Sequence, residues 1–178
     1  MFSDVGLNPP DGFSFPVAAE WTSQSIHDKI ETGIGYPVVV KPNRLGSSVG
    51  VSICTDRAEL ERVLADWGAD SREQVERLLV EEYIGGGEYT VGYFDDTCLG
   101  VMEVIPDEGF YDFESKYESP ETEYEPISDE TDIFDVLKER GREAFKALEC
   151  SGVARIDFRA EQSSTSVEPR VLEVNTIP

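Results

Sequence analysis

Two short stretches near the end of the chain hold the side chains best suited to metal chemistry. In Val153–Ala160, the apolar Ala154, Ile156 and Phe158 alternate with Arg155 and Asp157; in Arg170–Asn175, Leu172 and Val174 alternate with Glu173 and Asn175. Successive side chains of a strand point to opposite faces, so Arg155 and Asp157 share one face and Glu173 and Asn175 share one. The connection Glu161–Pro169 is polar and turn-like. A hairpin folded symmetrically about Thr165 sets Asp157 opposite Glu173 and Arg155 opposite Asn175. Cross-strand neighbours lie about 4.5–5.5 Å apart at Cβ, so two carboxylates and an amide oxygen converge beside an arginine. Hard oxygen donors in that number suit Mg2+ shared with substrate phosphates. The same residues can also form a plain salt-bridged ladder of Arg155 with Asp157 and Glu173, and this spacing alone leaves both readings open.

A second chemical stretch runs from Pro37 to Val51. Val38–Val40 is apolar and β-branched, as in a buried strand. Lys41 stands at its end, and Pro42 forbids a regular continuation. Gly46-Ser47-Ser48-Val49-Gly50 then offers free backbone N–H groups and two hydroxyls. Such a loop can close over phosphate oxygens, and a lysine beside it supplies a point charge. An ordinary hairpin loop with a surface lysine has the same composition. The order excludes a P-loop, whose lysine follows its glycines. A protein kinase is excluded by the absence of His-Arg-Asp and Asp-Phe-Gly.

The elements that would position these groups are α+β in kind. Residues 1–16 read as an irregular entry, with Phe15-Pro16-Val17 opening a short strand. Thr22 or Ser23 caps a helix to about Glu31, closed by Gly33 and Gly35. Val51–Cys54 is a strand. Asp56, with Glu59 three residues on, starts a helix whose Leu60, Val63, Leu64 and Trp67 form one face and which Gly68 stops. Leu78–Ile84, Glu88–Phe94 and Cys98–Ile105 read as an antiparallel meander turned at Gly85–Gly87 and Asp95-Asp96, with Tyr89, Val91 and Tyr93 on one face. Pro106–Thr131 reads as a long loop, which in a compact domain is functional or disordered. Its Phe110, Tyr111, Phe113 and Tyr117 are too many aromatics for a disordered linker and predict order against a ligand. Asp132 caps the longest helix, whose Ile133, Val136, Leu137, Ala144, Phe145 and Leu148 share a face.

Composition narrows the partners. The 178 residues carry 37 Asp and Glu against 15 Lys and Arg, a formal charge of −22. That charge excludes nucleic acid, whose affinity comes from phosphate neutralisation, and anionic membrane surfaces. Its even spread resembles the solubilising surface of proteins from salt-rich cytoplasms. No apolar run is long enough for a membrane helix, and the N-terminus lacks the basic start of a signal peptide, so a cytoplasmic location is expected. Cys54, Cys98 and Cys150 show no metal or redox spacing and read as reduced. His27 reads as a surface residue.

Val-Val-Lys-Pro with Gly-Ser-Ser-Val-Gly at 39–50, Val-Glu-Glu-Tyr-Ile with Gly-Glu-Tyr-Thr-Val at 80–91, Phe-Tyr-Asp-Phe-Glu-Ser-Lys-Tyr at 110–117, Ala-Arg-Ile-Asp-Phe at 154–158 and Leu-Glu-Val-Asn-Thr-Ile-Pro at 172–178 follow one another in order. Together they resemble the D-alanine–D-alanine ligases of the ATP-grasp superfamily, over about residues 16–178. The resemblance implies an ATP-grasp fold of two α+β subdomains with mainly antiparallel sheets gripping ATP between them. Residues 1–15 would be the irregular segment, 16–94 the central ATP-binding subdomain, and 95–178 a truncated C-terminal subdomain on the metal and substrate side. It implies that ATP phosphorylates the carboxylate of one D-alanine and the amine of a second attacks, giving D-alanyl-D-alanine for peptidoglycan. Another ATP-grasp carboxylate–amine ligase and a non-catalytic nucleotide-binding fragment are the alternatives.

By the same resemblance Lys41 would hold the α- and β-phosphates, and Ser47 and Ser48 would lie in the loop over phosphates and substrate. Glu81, Glu82 and Ile84 would meet the adenine, and Glu88 the ribose. Tyr111 and Lys116 would face the cofactor, Lys116 at the γ-phosphate. Arg155 would stabilise the tetrahedral intermediate. Asp157, Glu173 and Asn175 would bind Mg2+ or Mn2+. Tyr117 matches the tyrosine of ligases that accept D-alanine, which implies amide rather than ester synthesis. ATP and D-alanine would be the small-molecule partners, with a homodimer as in the family. The family's N-terminal domain, with its glutamate and lysine, has no equivalent here, nor has the serine that follows the last motif. The chain alone is therefore expected to bind Mg2+-ATP weakly and to make no dipeptide.

Overall fold

The computed structural model describes residues 6–17, 22–45, 48–69, 75–105, 122–162 and 167–177. They divide into two compact units: one within Asp11–Tyr83, the other formed by residues 6–10, 84–105 and 122–177.

The first unit holds a four-stranded sheet of β1 (Gly12–Pro16), β2 (Val38–Pro42), β3 (Ser52–Cys54) and β4 (Arg77–Glu82), in the order β1-β4-β2-β3 and antiparallel throughout. Val38 and Val40 of β2 and Leu78 and Val80 of β4 are buried on one face. Helices α1 (Ser23–Gly33) and α2 (Arg57–Ala69) supply Ile26, Ile30 and Leu60 to that same core. The opposite face carries Val39 and Lys41 of β2 and Leu79 and Glu81 of β4, by the alternation of the pleat.

The caps explain where the helices begin. Thr22 accepts from the Ser25 N–H at 3.1 Å, and Ser25 returns a contact to the Thr22 N–H. Asp56 caps α2 through the Glu59 N–H at 2.9 Å. Glu59 reaches one residue further back than a capping box requires, accepting from the Thr55 N–H and hydroxyl, each at 2.7 Å. These donors hold its carboxyl below the usual carboxylate range. Gly50, at φ 72°, closes the turn after Ser48 with Trp67 and Pro42 against it. A Cβ there would overlap the indole ring, so this glycine is required by packing as much as by the turn.

The second unit holds a five-stranded antiparallel sheet of β5 (Gly87–Phe94), β6 (Thr97–Ile105), β7 (Glu123–Pro126), β8 (Val153–Gln162) and β9 (Val167–Asn175), in the order β7-β6-β5-β8-β9. Tyr89, Val91 and Tyr93 are buried as their alternation predicts, with Ala154, Ile156 and Phe158 beside them. Helix α3 (Asp132–Ala147) covers this face with Ile133, Leu137, Ala144 and Phe145. Gly141 lets α3 come close: a Cβ on it would lie 2.9 Å from Tyr93 Cε2. The Tyr93 hydroxyl donates to the Lys138 carbonyl, so a buried phenol keeps a hydrogen bond.

Several sequence-based expectations are corrected. The expected irregular segment 1–15 contains most of β1, because Phe13 and Phe15 pair with Val80 and Leu78 of β4. The expected meander is cut at Gly85–Gly87: β4 pairs with β1 and β2, while β5 pairs with β6 and β8. The division accordingly falls between Tyr83 and Ile84, not after Phe94. Helix α2 runs through Gly68 to Ala69, and Thr131 rather than Asp132 caps α3, accepting from the Phe134 N–H. The expected loop 106–131 includes β7, held to β6 by Met102–Ile105. Pro42 remains in β2; it pairs with Leu78 of β4 and lies past the end of the β3 pairing, where a missing N–H costs nothing. His27 is half-buried and stacks on Tyr36, with Nδ1 3.1 Å from its hydroxyl. The three cysteines are free. Among the described residues no helix is long and apolar enough to cross a membrane.

Candidate functional site

The β8–β9 hairpin sets the register that matters. Arg155 pairs with Asn175 and Asp157 with Glu173, the expected partners, although the hairpin is not symmetric about Thr165: from Gln162↔Val167 to Phe158↔Val171 the register is one residue off that symmetry. Beyond Asp157 a bulge intervenes: Phe158 pairs with Val171, so Leu172 is the extra residue on β9. Val171, not Leu172, therefore joins Val174 against the core. The bulge lets β9 keep Glu173 and Asn175 opposite their partners while Val171 stays buried.

The four side chains interlock around Asp157, whose carboxylate is nearly buried at 12% side-chain exposure. Arg155 grips it in bidentate fashion, with Nε 2.9 Å from Oδ1 and Nη2 2.9 Å from Oδ2. Thr90, its cross-strand neighbour on β5, donates to Oδ1 at 2.8 Å. Asn175 Nδ2 donates to Asp157 Oδ2 at 3.0 Å and to Glu173 Oε1 at 3.1 Å. Arg155 Nη2 stands 4.0 Å from the same Glu173 oxygen. One amide group thus touches an oxygen of each carboxylate, and the three proposed ligands meet at one place. Here they form the salt-bridged ladder itself. Among the described residues no group of three or more His, Cys, Asp or Glu is placed to hold a metal ion. The set is two carboxylates and one amide, which as oxygen donors suit Mg2+ completed by water and phosphate.

In the four-stranded unit, Lys41 Nζ pairs with Glu81 Oε2 at 2.6 Å, both largely shielded. Lys41 lies opposite Leu79, so Glu81 is its diagonal neighbour, within reach of a long side chain. Glu82 turns toward the start of β1, its carboxylate accepting from the N–H of Asp11, the residue before that strand, at 3.0 Å. Ser48 is left-handed at φ 56° in the turn whose Val51 N–H returns to its carbonyl. Ile84 begins the second unit, and Glu88 stands on β5 on the same face as Thr90, opposite to Tyr89. Ser47, Tyr111, Lys116 and Tyr117 lie outside the described residues.

Thr90 was not among the residues that sequence reasoning selected. The one signal for it was its place between Tyr89 and Val91, which turns it to the polar face. Its pairing with β8 spans the length of the second unit and leaves no local trace.

A family model described as "D-ala D-ala ligase C-terminus" matches residues 1–178. The chain belongs to the D-ala D-ala ligase C-terminus family. Among curated relatives, the D-alanine–D-alanine ligase of Geobacillus thermodenitrificans is 36% identical over 184 residues, covering 100% of this chain and 48% of the relative. That of Geobacter sulfurreducens is 40% identical, covering 85% of this chain and 46% of the relative. The crystal structure of the Bacillus anthracis D-alanine–D-alanine ligase superposes with a TM-score of 0.77 at 30% identity, over 99% of this chain and 54% of that one. The same ligase complexed with ATP gives 0.72. The chain thus spans about half the length of the ligases it matches. Its two antiparallel sheets and three described helices are an α+β fold of the ATP-grasp type.

Proposed function

We propose that this chain carries the nucleotide- and metal-binding part of an ATP-dependent ligase that joins two D-alanines into D-alanyl-D-alanine for peptidoglycan. The observation that carries the reading is the convergence of Asp157, Glu173 and Asn175 beside Arg155 on one sheet face, in a member of this family. In the reaction, a carboxylate oxygen of the first D-alanine attacks the γ-phosphorus of ATP and ADP leaves. The amine of the second D-alanine then attacks the acyl phosphate, releasing phosphate and a proton.

Each residue has a task of charge or position, as phosphoryl transfer demands. Asp157, Glu173 and Asn175 would hold Mg2+, which when bound neutralises phosphate charge. Asn175 would then present its amide oxygen, a rotation that the present donation from Nδ2 does not forbid. Arg155, on the same face, would stabilise the oxyanion of the tetrahedral intermediate. Lys41 would turn from Glu81 to the α- and β-phosphates, with Ser47 and Ser48 in the loop over them. Glu81, Glu82 and Ile84 would meet the adenine and Glu88 the ribose. Tyr111 and Lys116 would complete the phosphate side, and Tyr117 would favour an amine acceptor. The same reading gives ATP and D-alanine as partners, a homodimer as assembly and the cytoplasm as compartment.

Phosphate release from Mg2+-ATP tests it, measured on this chain and on the chain joined to the remaining half of a relative, with D-alanine and other amino acids supplied singly. The expected result is release stimulated by D-alanine, with dipeptide as product, in the joined form. Stimulation by a different amino acid alone would replace the substrate, and no nucleotide binding in either form would overturn the reading.

A further inference from the structure

Asp157 offers two oxygens, and the structure treats them differently. Oδ2 faces the Asn175 amide, whose other contact is Glu173. Oδ1 faces the neighbouring strand β5, whose Thr90 hydroxyl donates to it at 2.8 Å. Thr90 and Asp157 are direct cross-strand partners, so this bond is set by the β5–β8 ladder rather than by a loop. A β-branched side chain has few χ1 choices in a strand, which holds the hydroxyl in place. Arg155 touches both oxygens and cannot choose between them.

We propose that Thr90 is a positioning residue: its hydroxyl pins Oδ1 and so fixes the plane of the Asp157 carboxylate, leaving Oδ2 as the oxygen turned to a divalent cation shared with Glu173 and Asn175. The inference rests on the metal-binding reading above and names the residue that orients the site. Without the hydroxyl, Oδ1 keeps only the Arg155 contact, and the plane of the carboxylate is left to a half-exposed guanidinium that can shift with it. Outer hydrogen-bond partners of metal ligands typically govern affinity by about 10–100-fold. A purely structural Thr90 would satisfy a shielded lone pair and affect stability alone.

The test is Mn2+ binding to residues 1–178, read by electron paramagnetic resonance with ADP present. About 1 M KCl suppresses adventitious binding to the acidic surface, the Debye length then being about 3 Å. Thermal midpoints of all variants are measured alongside, and Glu173→Gln defines the specific site. Thr90→Val, which keeps the shape without the hydroxyl, should weaken the specific Mn2+ site about 10–100-fold. Thr90→Ser should restore most of it. A Thr90→Val protein that binds Mn2+ like the wild type overturns the proposal, whether or not its midpoint falls. So does a Thr90→Ser protein as weak as Thr90→Val at an unchanged midpoint. Wild-type protein without a site sensitive to Glu173→Gln would refute the metal reading itself, a distinct outcome.

Discussion

The two units arrange their chemical side chains in opposite ways. In the five-stranded unit, Thr90, Arg155, Asp157, Glu173 and Asn175 stand on three adjacent paired strands and are tied into one hydrogen-bonded cluster. In the four-stranded unit, Lys41 and Glu81 satisfy each other, Glu82 turns toward the start of β1, and Ser48 sits in a turn. A ladder position comes with its neighbours already chosen, so its geometry precedes any ligand. A long lysine chain or a turn residue must be recruited when the ligand arrives, at a cost in side-chain ordering. We read the first unit as the adaptable half of the chemistry and the second as the preset half.

The sharpest way to break this contrast is Glu173→Gln. It removes the charge of a proposed ligand and leaves Asn175 with an altered partner, so the specific Mn2+ site should weaken by about 100-fold or more, at the upper end of what even outer partners cause. Equilibrium titration checks it. If Lys41→Met weakened Mn2+ as strongly in the absence of nucleotide, the preset character of the second unit would be lost.

Lys41→Met should instead act on the nucleotide. Loss of a charged hydrogen bond costs about 1.5–3 kcal/mol, so ATP affinity should fall roughly 10–100-fold by calorimetry. Glu81→Gln sharpens the point: it frees Lys41 from its present partner and should cost ATP less than Lys41→Met does, unless Glu81 itself is indispensable to the adenine.

Packing separates the units too. Gly141→Val places a branched side chain where Tyr93 Cε2 already lies 2.9 Å from a Cβ, and should destabilise by about 1–3 kcal/mol in urea unfolding. The equivalent probe of the other unit is Gly50→Ala, strained both by φ 72° and by Trp67. Comparable losses are expected at the two sites, since each glycine seats a ring.

Alkaline pH offers a gentler comparison. Burial among Val38, Leu60 and their neighbours pushes the Cys54 thiol up from 9.0 to about 11. A thiol whose folded value is raised favours the fold fully below its unfolded value and loses that contribution as pH rises through about 9 to 11. Cys54→Val should therefore flatten the stability loss in that window by about 1–2 kcal/mol. Tyr93 in the other core is raised further, chiefly by burial, so its share should persist in that variant.

The parts legible in the sequence were those written in local alternation. Tyr89, Val91 and Tyr93 announced their buried face, and the spacing of Arg155, Asp157, Glu173 and Asn175 named the right partners, although it is the bulge and not symmetry about Thr165 that brings them opposite one another. The bulge at Leu172 escaped, because alternation alone assigns Leu172 and Val174 to one face. Strand β7 escaped because Glu123–Pro126 is exposed on both faces, so no apolar pattern marks it; pairing with β6 alone makes it a strand. The apparent meander misled for a related reason. Three strands in succession with short turns predict neighbours, yet β4 is claimed by β1 and β2, whose pairings are distant in sequence. The partner of Thr90 escaped for the same cause, since Asp157 lies far from it in sequence.

Asp157, Glu173 and Asn175 are proposed to form a divalent metal site for ATP. Its most direct test is a crystal structure of this chain with Mn2+ and a non-hydrolysable ATP analogue, using anomalous scattering to locate the metal. An anomalous peak within coordination distance of oxygens of all three residues is expected, with Thr90 still bonded to Asp157 Oδ1. Bound nucleotide with its metal elsewhere, and the Arg155–Asp157–Asn175 ladder unchanged, would contradict it.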